Sequence, residues 1–377
     1  MTLVTRLRRL IFAGKSKRKA LKLIKWMQKN HLLRREMKCS ICHKRMKLKK
    51  WKTKDHYAWK CQRAVHRGKK RVKSIRHKSL FQRSKISLFE WMQFIYRFSQ
   101  GLRLRQIDMI ADNIAASSTT LTKMAKKLRQ VCITAVKRMR RHKGQIIGGR
   151  HEFVVIDESH FRHKRKYGKG RMAGAWKRKM WVFGMLGVQG QRSGKPVLRL
   201  VKKCTRRELV PLIARHVKPG STIMSDEWRA YRILPALGYK HFTVNHSQFY
   251  VNPQNGAHTQ HIERAWRTYK EQVWRLRGNQ TEDMLRDHLC LIEWNEWLAK
   301  KYHSGPLGRL LHDIKKNYGK GPSVGNRPLP ASPRMAPQQS GIANNKSLET
   351  SQASPGVLHS SICRRGPPLV LIDASKR

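Results

Sequence analysis

The sequence predicts an α/β protein in which a basic, mainly helical first half precedes a sheet-forming layer. Three observations carry that expectation. After Gly148-Gly149 the apolar pattern changes from helical spacing to short β-rich runs. Those runs come three in succession and then alternate with helical segments. Finally, in a chain with 84 Lys and Arg against 21 Asp and Glu, carboxylates stand at the ends of two of the runs.

The elements follow in order. Residues 1–37 are expected to be a basic helical N-terminus, with Leu21, Ile24, Met27 and Leu32 at roughly helical spacing and Trp26 beside them. Residues 38–78 form a small Cys/His-containing segment. Residues 79–146 are helical again, with a dense apolar block over 88–98. Within the sheet layer, 150–300, the runs 153–156, 180–188 and 196–201 read as strands. Residues 206–217, apolar at 209, 210, 212, 213 and 217, read as a helix, 222–224 as a buried strand, 227–237 as a short helix and 242–244 as a further strand. A helix over 259–277 presents Ile262, Trp266 and Tyr269 inward. Another covers 284–299 through Leu285, Leu289, Ile292 and Trp297. This order of strands and helices is that of an RNase H-like α/β layer. Residues 301–377 are expected to be a basic, mostly disordered tail, rich in Pro, Ser, Gly and Asn from about 320.

Composition bounds the partners. The formal net charge is +63 over 377 residues, and self-repulsion on that scale opposes a compact state unless a polyanion neutralises it. Nucleic acid is the natural partner, held by salt-sensitive phosphate contacts. A ribosomal or chromatin-like protein that only neutralises phosphate has the same charge signature. Apolar residues make up 39%, with 11 Trp and 10 Phe, so cores can form. No apolar run approaches the 18 residues of a membrane helix. Residues 1–13 carry basic charge and too short an apolar stretch for a signal peptide. Seven scattered cysteines do not suit a secreted disulfide framework. These features point to an intracellular protein. The run Lys15-Ser16-Lys17-Arg18-Lys19 suits nuclear import, although such runs are cheap in so basic a chain.

The acidic residues carry the chemistry. Asp157 follows the run 153–156, Asp226 ends the run 222–225, and Glu263 lies on the helix after the last strand. Phosphodiester chemistry needs neutralised charge, an activated oxygen nucleophile and a stabilised leaving oxygen. Two divalent ions about 4 Å apart supply all three, and Mg²⁺ takes oxygen ligands from a few carboxylates plus water and substrate. Asp157 and Asp226 can meet if their strands are neighbours. A lone aspartate after a strand is commonly only a turn or cap residue; three carboxylates in this order favour a metal site. Each Asp has an acidic neighbour, Glu158 and Glu227, which strand alternation should turn to the other face.

Several segments together resemble a Merlin-type DDE transposase, a group similar to certain bacterial insertion-sequence transposases. They are Ile156-Asp157-Glu158-Ser159, Val182-Phe183-Gly184-Met185, Asp226-Glu227-Trp228-Arg229-Ala230-Tyr231, Val244-Asn245-His246, and the run from His258 through Glu263 to Trp266. The resemblance spans roughly 20–300. It implies an RNase H-like catalytic domain with Asp157, Asp226 and Glu263 as catalytic ligands of Mg²⁺ (or Mn²⁺). It also implies Lys270, two helical turns after Glu263, as a contact to DNA near the cleaved phosphate. His258 and His261 suit either DNA or water positioning, or an ordinary loop and cap role.

The Cys39-x2-Cys42 pair is a knuckle of the kind that grips Zn²⁺, and Cys61 follows at zinc-ribbon distance. Position 64, where a second Cys-x2-Cys would close, is Ala64. His66 is the nearest fourth ligand, with His43 and His56 as others, and three reduced cysteines without metal remain the alternative. Trp51 and Trp59 are expected in the core of this segment. Residues 102–132 suit a helix-turn-helix: Leu102, Leu104, Ile107 and Ile110 on a first helix, a cap within 117–120, and Leu121, Met124, Ala125 and Leu128 on a second. Lys123, Lys126, Lys127 and Arg129 would then line an exposed DNA-reading face. An ordinary basic helical hairpin has the same pattern.

The expectation is therefore a nuclear DNA transposase. It would bind double-stranded DNA at the terminal inverted repeats of its element and cut with two metal ions. It would then join the 3′-hydroxyl to target DNA, as a homo-oligomer on paired ends. Alternatives are a domesticated or decayed transposase that binds DNA without cutting, another nuclease of the same fold, and a nucleic-acid packing protein.

Overall fold

The computed structural model describes residues 2–12, 17–63, 66, 71–101, 114–161, 180–190, 192–245, 247–274 and 281–319. All of these fall in one unit, 1–323. The expected first helix of the helix-turn-helix and the tail from 320 lie outside the described residues.

Helices α1 (Leu3–Phe12) and α2 (Lys17–Lys29) open the chain. Leu23, Ile24, Trp26 and Met27 bury one stripe of α2, as the helical spacing requires. Three short strands, β1 (Lys47–Lys50), β2 (Tyr57–Lys60) and β3 (Val72–Ser74), form an antiparallel sheet in that order. Helix α3 (Leu88–Ser99) starts at a capping box, in which the Ser87 side chain accepts from the Glu90 amide and Glu90 accepts from the Ser87 amide. Helix α4 (Ser118–Lys143) is capped by Ser117, as expected, and runs 26 residues.

The apolar residues of α1–α4 and of the small sheet share one core, so the Cys/His segment is built into the helical half rather than standing apart. A buried ion pair ties the two together. Arg76 donates to both carboxylate oxygens of Asp55 (2.6 and 2.7 Å), and Asp55 also accepts from the Leu88 amide at the start of α3. Trp59 is buried as expected. Trp51 is 41% exposed, because it sits just beyond β1, where its ring lies under the Lys60 ammonium instead of in the core.

The second half follows the expected element order: β4 (Phe153–Ser159), β5 (Trp181–Gln189), β6 (Arg192–Val201), α5 (Arg206–His216), β7 (Thr222–Asp226), β8 (Lys240–Val244) and α6 (Gln260–Trp274). Two 3₁₀ turns, Arg229–Tyr231 and Pro235–Leu237, replace the short helix expected over 227–237. The sheet order is β6-β5-β4-β7-β8. β4, β7 and β8 run parallel, and β5 and β6 are antiparallel hairpin neighbours. Strand alternation splits the sheet into two buried faces. Val154, Ile156, Phe183 and Ile223 pack with Leu209 and Ile213 of α5. On the other face, Val155, Val182 and Leu186 pack with Ile262, Trp266 and Tyr269 of α6 and with Leu285, Leu289 and Ile292 of α7 (Glu282–Trp294).

Helix α7 joins the halves, since Cys290 and Trp294 belong to the helical core while Leu289 and Ile292 face the sheet. At the joint, Glu293 is fully buried and paired with both Arg140 of α4 and Arg199 of β6. A charge removed from water persists there only because it is paired and hydrogen-bonded. The last described helix, α8 (Gly305–Tyr318), buries Leu307, Leu310, Leu311 and Ile314 in the helical core. Residues 305–318, expected as part of the tail, are thus helical and packed. The stripe at i, i+3, i+4 and i+7 outweighs the Gly-Pro start, where Pro306 sits in the first turn that tolerates it. Among the described residues no helix is long and apolar enough to cross a membrane.

Candidate functional site

The carboxylates come together at one end of the sheet. β4 and β7 pair in parallel with Val155 beside Met224. Continuing that register two residues sets Asp157 beside Asp226 on the same face, the one covered by α6. Glu263 projects from the first turn of α6, where its Oε1 accepts from the Thr259 hydroxyl (2.7 Å). Asp226 Oδ1 accepts from the Trp228 amide (3.2 Å).

Electrostatics agree with this placement. Burial pushes the Asp157 carboxyl up to about 7; the Trp266 and Glu158 hydrogen bonds oppose the rise, and the negative charges of Asp226 and Glu263 add to it. The charges of Asp226 and Glu263 thus act on Asp157, and a cation among the three would relieve the repulsion.

Glu158 turns to the opposite face, as alternation requires. Its carboxylate accepts from the Tyr231 hydroxyl. Burial pushes it to about 8, the Tyr231 hydrogen bond works against that, and Asp157 and Asp226 reinforce it.

Two positions were missed as parts of the site. Trp266, expected only as a core residue, donates its indole N–H to Asp157 Oδ2 (2.8 Å). Asp157 Oδ1 accepts from the Glu158 amide (2.7 Å), so both carboxylate oxygens are held. Gly184 lies directly across the ladder from Asp157. A Cβ there would stand 2.4 Å from Trp266 Cη2, so only glycine lets the indole lie across β5 and reach the aspartate. The available signal was a glycine inside an otherwise apolar strand.

Lys270 is half-buried on α6, its ammonium 6.0 Å from the centre of the Phe161 ring, which itself meets Trp266 edge-on. His258 and His261 face each other at 5.1 Å, and His261 meets Phe153 at the sheet.

The second cluster is in the helical half. The ligand atoms of Cys39, Cys42, Cys61 and His66 all lie within 4.8 Å of one another. Cys61 Sγ is 3.1 Å from His66 Nε2 and 3.6 Å from Cys42 Sγ, and Cys39 Sγ is 3.6 Å from His66 Nε2. A tetrahedral zinc with bonds of about 2.3 Å to sulfur and about 2.0 Å to nitrogen spaces its ligands about 3.5–3.8 Å apart, so this set fits the ion. The Cys42 and Ile41 amides draw the Cys39 thiol down to about 7, which favours the thiolate that binds metal. His66 is thus the fourth member of the set, rather than His43 or His56. Asp157, Asp226 and Glu263 do not converge this tightly.

On α4, Lys123 and Lys126 are exposed. Lys127 is exposed as well, and of the four only Arg129 departs from the expected exposed face. Lys127 lies over Trp91 and reaches the Leu80 carbonyl (3.4 Å), and Arg129 is half-buried, with the negative charge of Asp287 acting on it. Arg129 stands one helical turn from Ala125 and Cys132, on the edge of the stripe that α4 buries in the helical core.

Comparison with known proteins points in one direction. Residues 144–275, about a third of the chain, match the family model of the ISXO2-like transposase domain. The matched stretch spans the five-stranded sheet, α5 and α6, including all three carboxylates. An uncharacterized transposase-like protein of Haemophilus influenzae is 30% identical over 70 residues, covering 19% of this chain and 55% of the relative. This chain thus spans about half the length of the curated relative it matches. No solved structure matches. The sheet-bearing half is therefore similar to transposase domains.

Proposed function

We propose that this protein is a DNA transposase whose catalytic layer has the RNase H-like fold and whose cutting site is Asp157, Asp226 and Glu263. The observation that carries the proposal is the convergence of these three carboxylates within the region similar to transposase domains. The strand order supports the fold assignment, with β5 alone running antiparallel to the other four strands.

Asp157, Asp226 and Glu263 would hold Mg²⁺ or Mn²⁺. Two such ions about 4 Å apart supply an activated water or 3′-hydroxyl and a stabilised leaving oxygen, and they need ligands spread more widely than one ion does. Trp266 and the Glu158 amide fix the Asp157 carboxylate, and Lys270 sits two turns from Glu263 to meet phosphate. Because hydrolysis and strand joining are both in-line attacks on phosphorus, one site serves both. The Cys39–Cys42–Cys61–His66 set would hold a structural Zn²⁺ in a zinc-ribbon-like module. That module and α4, with Lys123 and Lys126 outward, would engage the terminal inverted repeats. The Merlin-type likeness rests on the motif string from Asp157 to Trp266. With it come a nuclear location, supported by the basic run 15–19, and an oligomer on paired ends.

The test is incubation of the purified chain with labelled duplex carrying the element's terminal repeat, with Mg²⁺ or Mn²⁺, beside Asp226→Asn. Cleavage at the repeat boundary by the parent alone supports the proposal. Equal binding without cleavage by either protein would reduce the carboxylates to a relic on a DNA-binding module.

A further inference from the structure

The connection from β8 to α6 offers a feature that the cutting site does not use. It leaves the sheet beside Asp226, since Asp226 pairs with Val244. It returns at Thr259, whose hydroxyl holds Glu263. Both ends of the loop are therefore anchored at the carboxylates. Between them stand Phe249, Tyr250 and Val251, at 46%, 83% and 44% exposure.

The loop is built to present this tip. Asn245 accepts from the Ser247 amide (3.0 Å) and hydroxyl (2.6 Å), and its carbonyl accepts from the Phe249 amide (2.9 Å). Beyond the tip, Asn252 donates to the Thr243 carbonyl (3.0 Å) and accepts from the Gln254 amide (3.0 Å). Its main chain exchanges with Ala257 and Gly256. Trp228, two residues after Asp226, is also exposed, with its indole N–H tied to the Cys204 carbonyl (2.8 Å). No carboxylate occurs between Glu227 and Glu263, so nothing in this stretch repels a phosphate backbone.

Large apolar rings held in water on a loop whose two ends are anchored at these carboxylates suit one ligand. We propose that the Phe249–Tyr250 tip stacks against an unpaired base of single-stranded DNA, holding a strand end open beside the carboxylates. Every base offers a ring face, so such a platform works without sequence preference. The inference rests on the DNA-acting function proposed above for its ligand, but not on cutting.

The test uses the full chain carrying Asp226→Asn, so that no cleavage intervenes. The probe is a short duplex with a single-stranded overhang whose first unpaired base is 2-aminopurine. Stacking should quench its fluorescence on binding. Tyr250→Ala and Phe249→Ala should each abolish the quench and weaken overhang binding about 5- to 100-fold. Tyr250→Phe should retain both, and affinity for blunt duplex should not change in any variant. Truncation at an 83% exposed ring removes little packing, and thermal melts confirm folding. Undiminished quenching in both alanine variants would overturn the inference. So would a change in sedimentation mass with quenching intact, which would make the tip a contact between copies of this chain. A protein that quenches the probe but whose Asp226 parent never cuts DNA would keep this inference and lose the cutting one.

Discussion

The two clusters of metal-type side chains differ in nearly every physical respect. The Cys39–Cys42–Cys61–His66 set is mostly buried, soft in its donors and closed within 4.8 Å. The Asp157–Asp226–Glu263 set is hard in its donors, open toward α6 and spread more widely, with Glu263 exposed and Asp157 held up near 7. A closed set satisfies an ion fully and leaves no position for substrate; an open set of carboxylates leaves positions for water and phosphate. On the proposed reading, the first would serve folding and the second chemistry. Removing the metal from each should have opposite consequences.

The largest expected effect is on stability. Cys61→Ser removes one of four ligands from a module sharing its core with α1–α4. Structural zinc sites contribute on the order of 10 kcal/mol to small modules, so this variant, or chelation of the parent, should melt the helical half well below the parent protein in calorimetry. An unchanged melting temperature together with zero zinc by elemental analysis would break the comparison. Next is Asp226→Asn, expected to lower cleavage by at least about 1,000-fold while leaving melting and duplex affinity near those of the parent.

A third prediction concerns the joint between the two regions. His216 Nδ1 donates to the Gln145 carbonyl (2.8 Å), and its Nε2 faces Arg199 Nη2 (3.2 Å), with Glu293 and Arg140 in the same network. Burial and then the Arg199 charge lower its pKa to about 4, below the usual value of 6.5. A depressed basic group contributes stability that is present above about 6.5 and lost as pH falls toward 4, because the unfolded chain takes up the proton first. The loss should reach at most about 3 kcal/mol. His216→Gln should flatten the fall in melting temperature between pH 7 and pH 4, and an unaltered slope would remove His216 as its cause.

Much of this architecture was legible in the sequence, because strands and amphipathic helices are written in local periodicity. The order of strands and helices along the chain and the inward face of α6 follow from the apolar runs; the meeting of Asp157 with Asp226 was conditional on neighbouring strands, and the register of β4 with β7 supplies it. Four features were not legible. Trp51 is apolar yet exposed, since position beyond a strand end, and not hydrophobicity, sets its burial. Arg129 is drawn inward because it stands one turn from the buried Ala125 and Cys132 of α4. Helix α8 was hidden by its Gly-Pro start, although its apolar stripe was there to read. His66 as fourth ligand depended on a fold that brings residues 27 positions apart within 3.6 Å, which spacing alone left open among three histidines.

The smallest expected effect isolates how the open site is held. Trp266 donates to Asp157 Oδ2, and Gly184 provides the room for its ring. Trp266→Phe keeps most of the buried ring but deletes the donor, leaving a buried carboxylate oxygen one hydrogen bond short. A bond of this kind to a charged group contributes about 1.5 kcal/mol, so cleavage should fall about tenfold. Since that hydrogen bond counteracts the rise in the Asp157 pKa, its loss should also move the acidic limb of the pH–rate profile upward. Gly184→Ala reaches the same point from the other side of the ladder. It keeps the indole but displaces it, and should reproduce the pH shift. A loss of rate without any pH shift in either variant would mean that Trp266 serves only as packing, and the open cluster would then owe its geometry to the strands alone.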